Sequence, residues 1–154
     1  MASTTRLANE AWEAMFRAQA TLAREFEFEG EWGDLLPREY GVLYALSQAR
    51  DGLRIIDLCE DVLLTQAGVS RLVSRLERRG LVERSGDPAD GRAFRIRLTA
   101  DGIDVQRRAG RAHARHVAAA MTRALSPEQL ETLRDLSQAL TKGAEGNHSE
   151  RNSR

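Results

Sequence analysis

The chain is poor in the residues that build disulfide scaffolds and metal centres. Cys59 is its single cysteine, so no intrachain disulfide can form and no cysteine-based zinc site can close. Aromatic residues make up 5% of the chain and there are three prolines, while Ala, Leu and Arg abound, a composition that leans helical. Lysine occurs once, at Lys142, beside 22 arginines. No apolar run approaches the ~20 residues of a membrane span. The N-terminus lacks a signal peptide's basic end and apolar stretch, so a cytoplasmic protein without a membrane partner is expected. Also missing are a Gly-rich phosphate loop, a paired-histidine or paired-cysteine metal pattern, and a nucleophile motif. An enzyme is therefore not expected, and neither a cofactor nor a metal is.

What is present suits one domain of ordinary size with a real core: 154 residues, 42% hydrophobic and 30% charged. The formal net charge is zero, yet its distribution is uneven. Residues 1–63 hold 6 basic and 12 acidic residues, residues 64–123 hold 13 and 6, and residues 124–154 hold 4 and 5. The middle segment is thus strongly positive, as an electrostatic footprint for phosphates should be.

Apolar positions at Leu7, Ala11, Met15, Ala18, Leu22 and Phe26 predict one amphipathic helix over 5–29. Pro37 suits the first turn of a second helix. A short third helix is expected from about Ile55 to Val62, with a break near Leu63-Leu64. Thr65 fits an N-cap, and Val69, Leu72, Val73 and Leu76 then form a single buried stripe ended by Gly80. Residues 81–84 and 94–98 alternate like two strands joined by a loop over 85–93, with Arg92 at its tip. Thr99 restarts a helix running to about Leu125. Ser126-Pro127-Glu128-Gln129 is a capped start for a last helix, whose stripe is Leu130, Leu133, Leu136 and Leu140. The first helix and the last two each carry an apolar face, and a second copy of the chain is the simplest partner for them.

Leu58–Thr99 therefore reads as a helix-turn-helix followed by a basic hairpin, the parts that place a helix in a DNA major groove and an arm on its flank. Opposite the buried stripe lie Ala67, Ser70, Arg71, Ser74 and Arg78, with Gln66 at the exposed N-terminal edge. Gln66 can pair with an adenine edge, Arg71 with a guanine, and Ser70 or Ser74 with a base or phosphate. Arg75 either meets a phosphate or pairs with Glu77, Glu83 or a wing acid. Arg92 would enter the minor groove. Asp90 would brace the wing, since a carboxylate beside phosphates is repelled. Arg95 and Arg97, on one strand face, would serve phosphates.

On the residues VSRLVSRLERRGLVER followed by DPADGRAFRIRLTADG, the chain resembles the MarR family of transcriptional regulators from about Leu7 to Leu140. Asp90-Gly91-Arg92 matches the family's Asp-x-Arg wing signature, with Gly where relatives often have a basic residue. Leu63 stands at a turn position where a small residue is common, and is expected to tighten packing there. The resemblance implies a mainly α, winged helix-turn-helix fold of six helices with a two- or three-stranded wing. It also implies a cytoplasmic homodimer on double-stranded, pseudo-palindromic promoter DNA, more often a repressor, released by a small-molecule effector or by oxidation. The expected division is a dimerisation helix and loop over 1–36 and a DNA-binding lobe over 37–99. Dimerisation helices over 100–142 and a disordered tail over 143–154 complete it.

In this family the effector pocket lies between the dimerisation helices and the DNA-binding lobe. Trp12, Phe16, Tyr40 and Tyr44 would line it, with Arg17 or Arg54 as anchor for an aromatic or anionic effector; ordinary core packing is the other reading of those aromatics. A urate-responsive branch is similar in having a first-helix Trp and an acid near the place of Asp57. Cys59 reads as an inert core thiol rather than an oxidation sensor. His113 and His116, one turn apart, read as exposed helix histidines rather than metal ligands. The alternatives are a winged-helix module for protein–protein interaction, and a metal- or redox-sensing regulator of the same fold.

Overall fold

Six helices and one antiparallel hairpin make up the computed structural model, which describes residues 3–152 and side-chain surroundings over 3–146. The order is α1 (Thr4–Glu29), α2 (Pro37–Ser47), α3 (Ile55–Val62), α4 (Gln66–Arg78), β1 (Val82–Asp87), β2 (Asp90–Leu98), α5 (Ala100–Thr122) and α6 (Pro127–Asn152). The chain forms two compact units, Met1–Arg115 and His116–Arg154, so that α5 begins in the first and ends in the second.

Local chemistry sets the starts of α2 and α3 in the same way. Neither has a Ser or Thr cap; instead an acid on the first turn reaches back. Glu39 accepts from the Leu36 amide at 3.0 Å, and Asp57 accepts from the Arg54 amide at 3.1 Å. Pro37 adds a preset φ to the first turn of α2. For α4 the expected cap is in place: the Thr65 hydroxyl accepts from the Gly68 amide at 3.2 Å. Gly80 ends α4 at φ +70°, a left-handed position.

Leu63 keeps the α3–α4 turn tight, but not by packing. It adopts φ 53°, ψ 43°, the single left-handed non-glycine position among the described residues, and its side chain is 84% exposed. The expectation that it tightens packing is corrected accordingly: backbone conformation makes the turn, and the side chain faces solvent.

The core of the first unit joins α2, α3, α4 and the hairpin. Val69, Leu72, Val73 and Leu76 of α4 are all buried, and they meet Leu43, Leu58, Val82 and Ile96. Burial of these side chains, each worth about 1.5–3 kcal/mol, holds the recognition-type helix by its inner face and leaves the outer face free.

The hairpin departs from expectation. Its strands run from Val82↔Leu98 through Gly86↔Phe94, and then the register shifts so that Asp87 pairs with Asp90. The turn is only Pro88-Ala89, and Gly91, Arg92 and Ala93 are extra residues on β2, a three-residue bulge. Arg92 therefore sits in this bulge rather than at the tip of a loop over 85–93. The turn residues near the tip had masked the strand signal. A third element touches the sheet through one bridge, with Leu53 and Ile96 exchanging backbone bonds of 3.0 and 2.8 Å.

Beyond the hairpin, Thr99 starts α5 as expected, accepting from the Gly102 amide at 3.1 Å and donating to the Gly80 carbonyl at 2.6 Å. In the second unit Ser126 and Gln129 form the anticipated capping box, at 3.3 and 2.9 Å. The tail expected to be disordered over 143–154 is helical as far as Asn152, the last described residue. Ala144, Glu145 and Arg151 favour helix, no proline interrupts them, and Gly143 and Gly146 cost only about 1 kcal/mol each.

Gly102 lies so close to the Leu81 carbonyl that a Cβ there would overlap its oxygen, whereas a Cβ at Gly86 would meet nothing. Replacing Gly102→Ala should lower stability by about 1–3 kcal/mol in denaturant unfolding. Gly86→Ala should leave it essentially unchanged. Equal behaviour of the two variants would contradict the close approach.

Candidate nucleic-acid interface

The outer face of α4 is presented as its periodicity requires. Gln66, Ala67, Arg71, Arg75 and Arg78 are exposed, and Ser70 and Ser74 are half-buried between them. Thr65 is exposed too, with its hydroxyl accepting the Gly68 amide, so its first role is to cap the helix. Ser70, Arg71, Ser74, Arg75 and Arg78 line one cleft of about 580 Å³.

Not every arginine of this positive segment is available. Arg75 approaches Glu39 of α2 at 3.6 Å, an acid not among the partners considered for it, and Arg79 reaches the same carboxylate at 3.1 Å. Glu39 is 3% exposed, so it joins α2 to the end of α4 from inside. Arg84 of β1 pairs with Glu77 of α4 at 3.1 Å. By contrast Arg71, Arg78 and Arg92 carry no ion pair among the described residues.

The base of the wing is held by one buried acid. The Asp87 side chain is wholly buried and receives Arg54 Nε at 2.6 Å, Arg95 Nε at 3.1 Å and the Ala89 amide at 2.8 Å. The Arg54 hydrogen bond, then the Ala89 amide, hold the Asp87 carboxyl down at about 2, below the usual 3.8. Asp90 accepts from the Arg92 amide at 3.0 Å and so braces the bulge, leaving the Arg92 side chain exposed. Arg95 also donates to the Gly52 carbonyl at 3.3 Å, and Arg97 to the Asp51 carbonyl at 3.3 Å. Their guanidinium groups, expected to serve phosphates, also fasten the wing to the loop before α3.

Among known proteins, a model of the MarR family matches residues 34–93. The transcriptional regulator HosA of Escherichia coli O111:H- is 36% identical over 75 residues, 49% of this chain and 55% of HosA. The chain thus matches only about half the length of that curated relative. The PcaV transcriptional regulator from Streptomyces coelicolor is 31% identical, with a TM-score of 0.63, over 88% of this chain and 98% of PcaV. The chain belongs to the MarR family. Sco3205 of Streptomyces coelicolor, a MarR family transcriptional regulator solved in complex with DNA, is 27% identical with a TM-score of 0.73, over 88% of this chain and 86% of Sco3205. The winged helix-turn-helix expected for a MarR-family chain is the architecture observed, with a two-stranded wing.

Of the effector-pocket residues expected from the MarR resemblance, only Tyr40 and Tyr44 are brought together. Trp12 and Phe16 are 64% and 60% exposed on α1, a helix with no buried residue, and Arg17 pairs with Glu13 at 2.6 Å. Arg54 belongs to the Asp87 cluster and Asp57 to the start of α3. Tyr40 instead joins Trp32 at 5.2 Å, His113 at 5.4 Å and Tyr44 at 6.1 Å. Its hydroxyl pKa is raised, first by burial and then by Tyr44. Helical spacing had identified aromatic faces without showing what each would meet. His113 and His116 are half-buried rather than exposed. Cys59 is half-buried and packed on the core. Among the described residues no group of three or more His, Cys, Asp and Glu side chains is placed to hold a metal.

The structure contains a different cavity, of about 760 Å³, between α1, α2 and the end of α3. Tyr44 alone of the expected set lines it, together with Glu27, Ala45, Asp61 and Val62. Leu36, Arg38 and Leu64 wall both this cavity and the α4 cleft. Sequence reasoning missed Glu39 and Asp87. An acid three residues beyond Leu36, at the start of a Pro-initiated helix, was the available signal for Glu39.

Because the Asp87 pKa is lowered in the folded protein, its contribution to holding the wing is complete above pH ~4, the ordinary aspartate range, and is lost as pH falls through about 2. Carboxyl NMR should find Asp87 titrating near about 2. Arg54→Ala should move that titration upward and speed hydrogen exchange at Ala89. An ordinary aspartate titration in the unsubstituted protein would contradict the cluster.

Proposed function

We propose that this chain is a homodimeric, sequence-specific DNA-binding transcriptional regulator of repressor type. The observation that carries the reading is the sorting of the arginines: acids hold those behind α4 and at the wing base, while Arg71, Arg78 and Arg92 stay exposed and unpaired among the described residues. Gln66, Ala67, Ser70, Arg71, Ser74 and Arg78 would face a major groove and Arg92 the adjacent minor groove, with Arg75 reaching a flanking phosphate. Asp90 acts on Arg92 through its backbone. That Sco3205, a MarR-family relative, was solved in complex with DNA supports the DNA-binding reading.

A second copy of the chain would cover the apolar faces of the outer helices. Leu7, Trp12 and Phe16 of α1, and Leu136 and Leu140 of α6, are each at least 60% exposed. Burying such side chains would favour association.

A small-molecule effector would occupy the 760 Å³ cavity, whose size suits a drug-sized ligand. The solved complex of PcaV with its natural ligand is consistent with an effector-responsive relative. The wall shared by this cavity and the α4 cleft gives such a ligand a short route to the reading face. An effector acts only through its differential affinity for the DNA-bound and free forms.

Duplexes selected from a random pool by the purified protein test the reading. Arg71→Ala should relax preference at one base position, at a cost of about 1–3 kcal/mol. Arg92→Ala should weaken binding to most sequences and flatten the salt dependence. Equal, sequence-blind losses in both variants would contradict the division of labour. Trp12→Glu should shift the dimer toward monomer in analytical ultracentrifugation, and an unchanged dimer would remove α1 from the interface.

A further inference from the structure

We propose that the cleft between the start of α2 and the outer face of α4 seats a DNA backbone phosphate, with Arg38 as its anchor. The inference rests on the DNA-binding reading above and adds to it a contact outside both the recognition helix and the wing.

Four arginines, Arg38, Arg71, Arg75 and Arg78, line this cleft of about 580 Å³ with Ser70 and Ser74, and no carboxylate lines it. Four guanidinium groups around one concavity repel each other unless an anion or salt screens them. Arg38 is exposed and has no ion pair among the described residues, so its donors are available. Its backbone, in contrast, is fixed. Pro37 precedes it at the helix start, and the neighbouring Glu39 is buried with its carboxylate on the Leu36 amide at 3.0 Å and on Arg79 at 3.1 Å. The same carboxylate draws Arg75 to 3.6 Å, which orients a second cleft arginine from behind. Glu39 thus holds the cleft's wall while lying outside its lining.

The placement suits a phosphate rather than a base. Arg38 comes from α2, beside the helix whose outer face would enter the groove, so the sugar–phosphate strand bordering that groove passes over it. A phosphate contact sets the docking register and carries no base information. A planar guanidinium can grip two phosphate oxygens at once.

The test uses the full chain and a duplex that the unsubstituted protein has selected from a random pool, with dissociation constants measured across a salt series. Arg38→Ala should bind that duplex on the order of tenfold more weakly. It should also lower the magnitude of the salt slope by about one per subunit and select the same sequence. Arg38→Lys should restore most of the slope, because the phosphate still meets a positive charge. Arg50→Ala, another exposed arginine, should leave slope and affinity unchanged. An unaltered slope in Arg38→Ala, a changed base preference, or an equal loss in Arg50→Ala would each overturn the anchor while leaving the DNA-binding reading in place. Failure of the unsubstituted protein to select any sequence would overturn both.

Discussion

The buried carboxylate of Asp87 is the contact on which the wing depends. Its side chain is out of water, so it must be compensated on several sides, and Arg54, Arg95 and the Ala89 amide all converge on it. Those three come from the start of α3, the second wing strand and the wing turn. One acid therefore fastens the hairpin to the helix-turn-helix. The Leu53–Ile96 bridge adds a second tie at the same junction. With its base fixed, the bulge carrying Arg92 projects from a rigid support, and Asp90 braces it from within.

Glu39 does for α2 and α4 what Asp87 does for the wing. It is buried at the start of α2 and takes Arg79 and Arg75 from the end of α4. Together with Glu77, which holds Arg84, these acids sort the arginines around α4 and the wing into those that hold the fold and those that face outward. Arg54, Arg79, Arg84 and Arg95 belong to the first group, while Arg38, Arg71, Arg78 and Arg92 belong to the second. Net charge alone would not reveal this division, since the whole chain is formally neutral. The DNA-binding reading rests on the second group being gathered around α4 and the wing.

Much of the fold was legible because its signals are local. The stripe Val69, Leu72, Val73 and Leu76 is buried as its spacing implies, and Thr65, Gly80 and Ser126 mark helix ends where their chemistry places them. The contacts missed are long-range. Arg54 meets Asp87 across 33 positions and Arg79 meets Glu39 across 40, distances over which no periodic pattern runs. The bond from Arg95 to the Gly52 carbonyl, 43 positions away, was hidden for the same reason, whereas its bond to Asp87 is only eight positions distant but needs the hairpin register to be known. The aromatics on α1 and α2 showed helical faces correctly but not their partners, so Tyr40 packs at an angle on Trp32 and His113 while Trp12 stays exposed. The wing signature was readable, whereas its bulge, a matter of register, was not.

The most direct test of the central claim is a hydroxyl-radical footprint of the full chain on a duplex it selects. A dimer placing one α4 in each of two successive major grooves predicts two symmetric protected half-sites about one helical turn, ~10 bp, apart, each with a protected minor groove on its outer flank. A single short protected patch, or uniform weak protection that disappears on every duplex as salt rises, would contradict it.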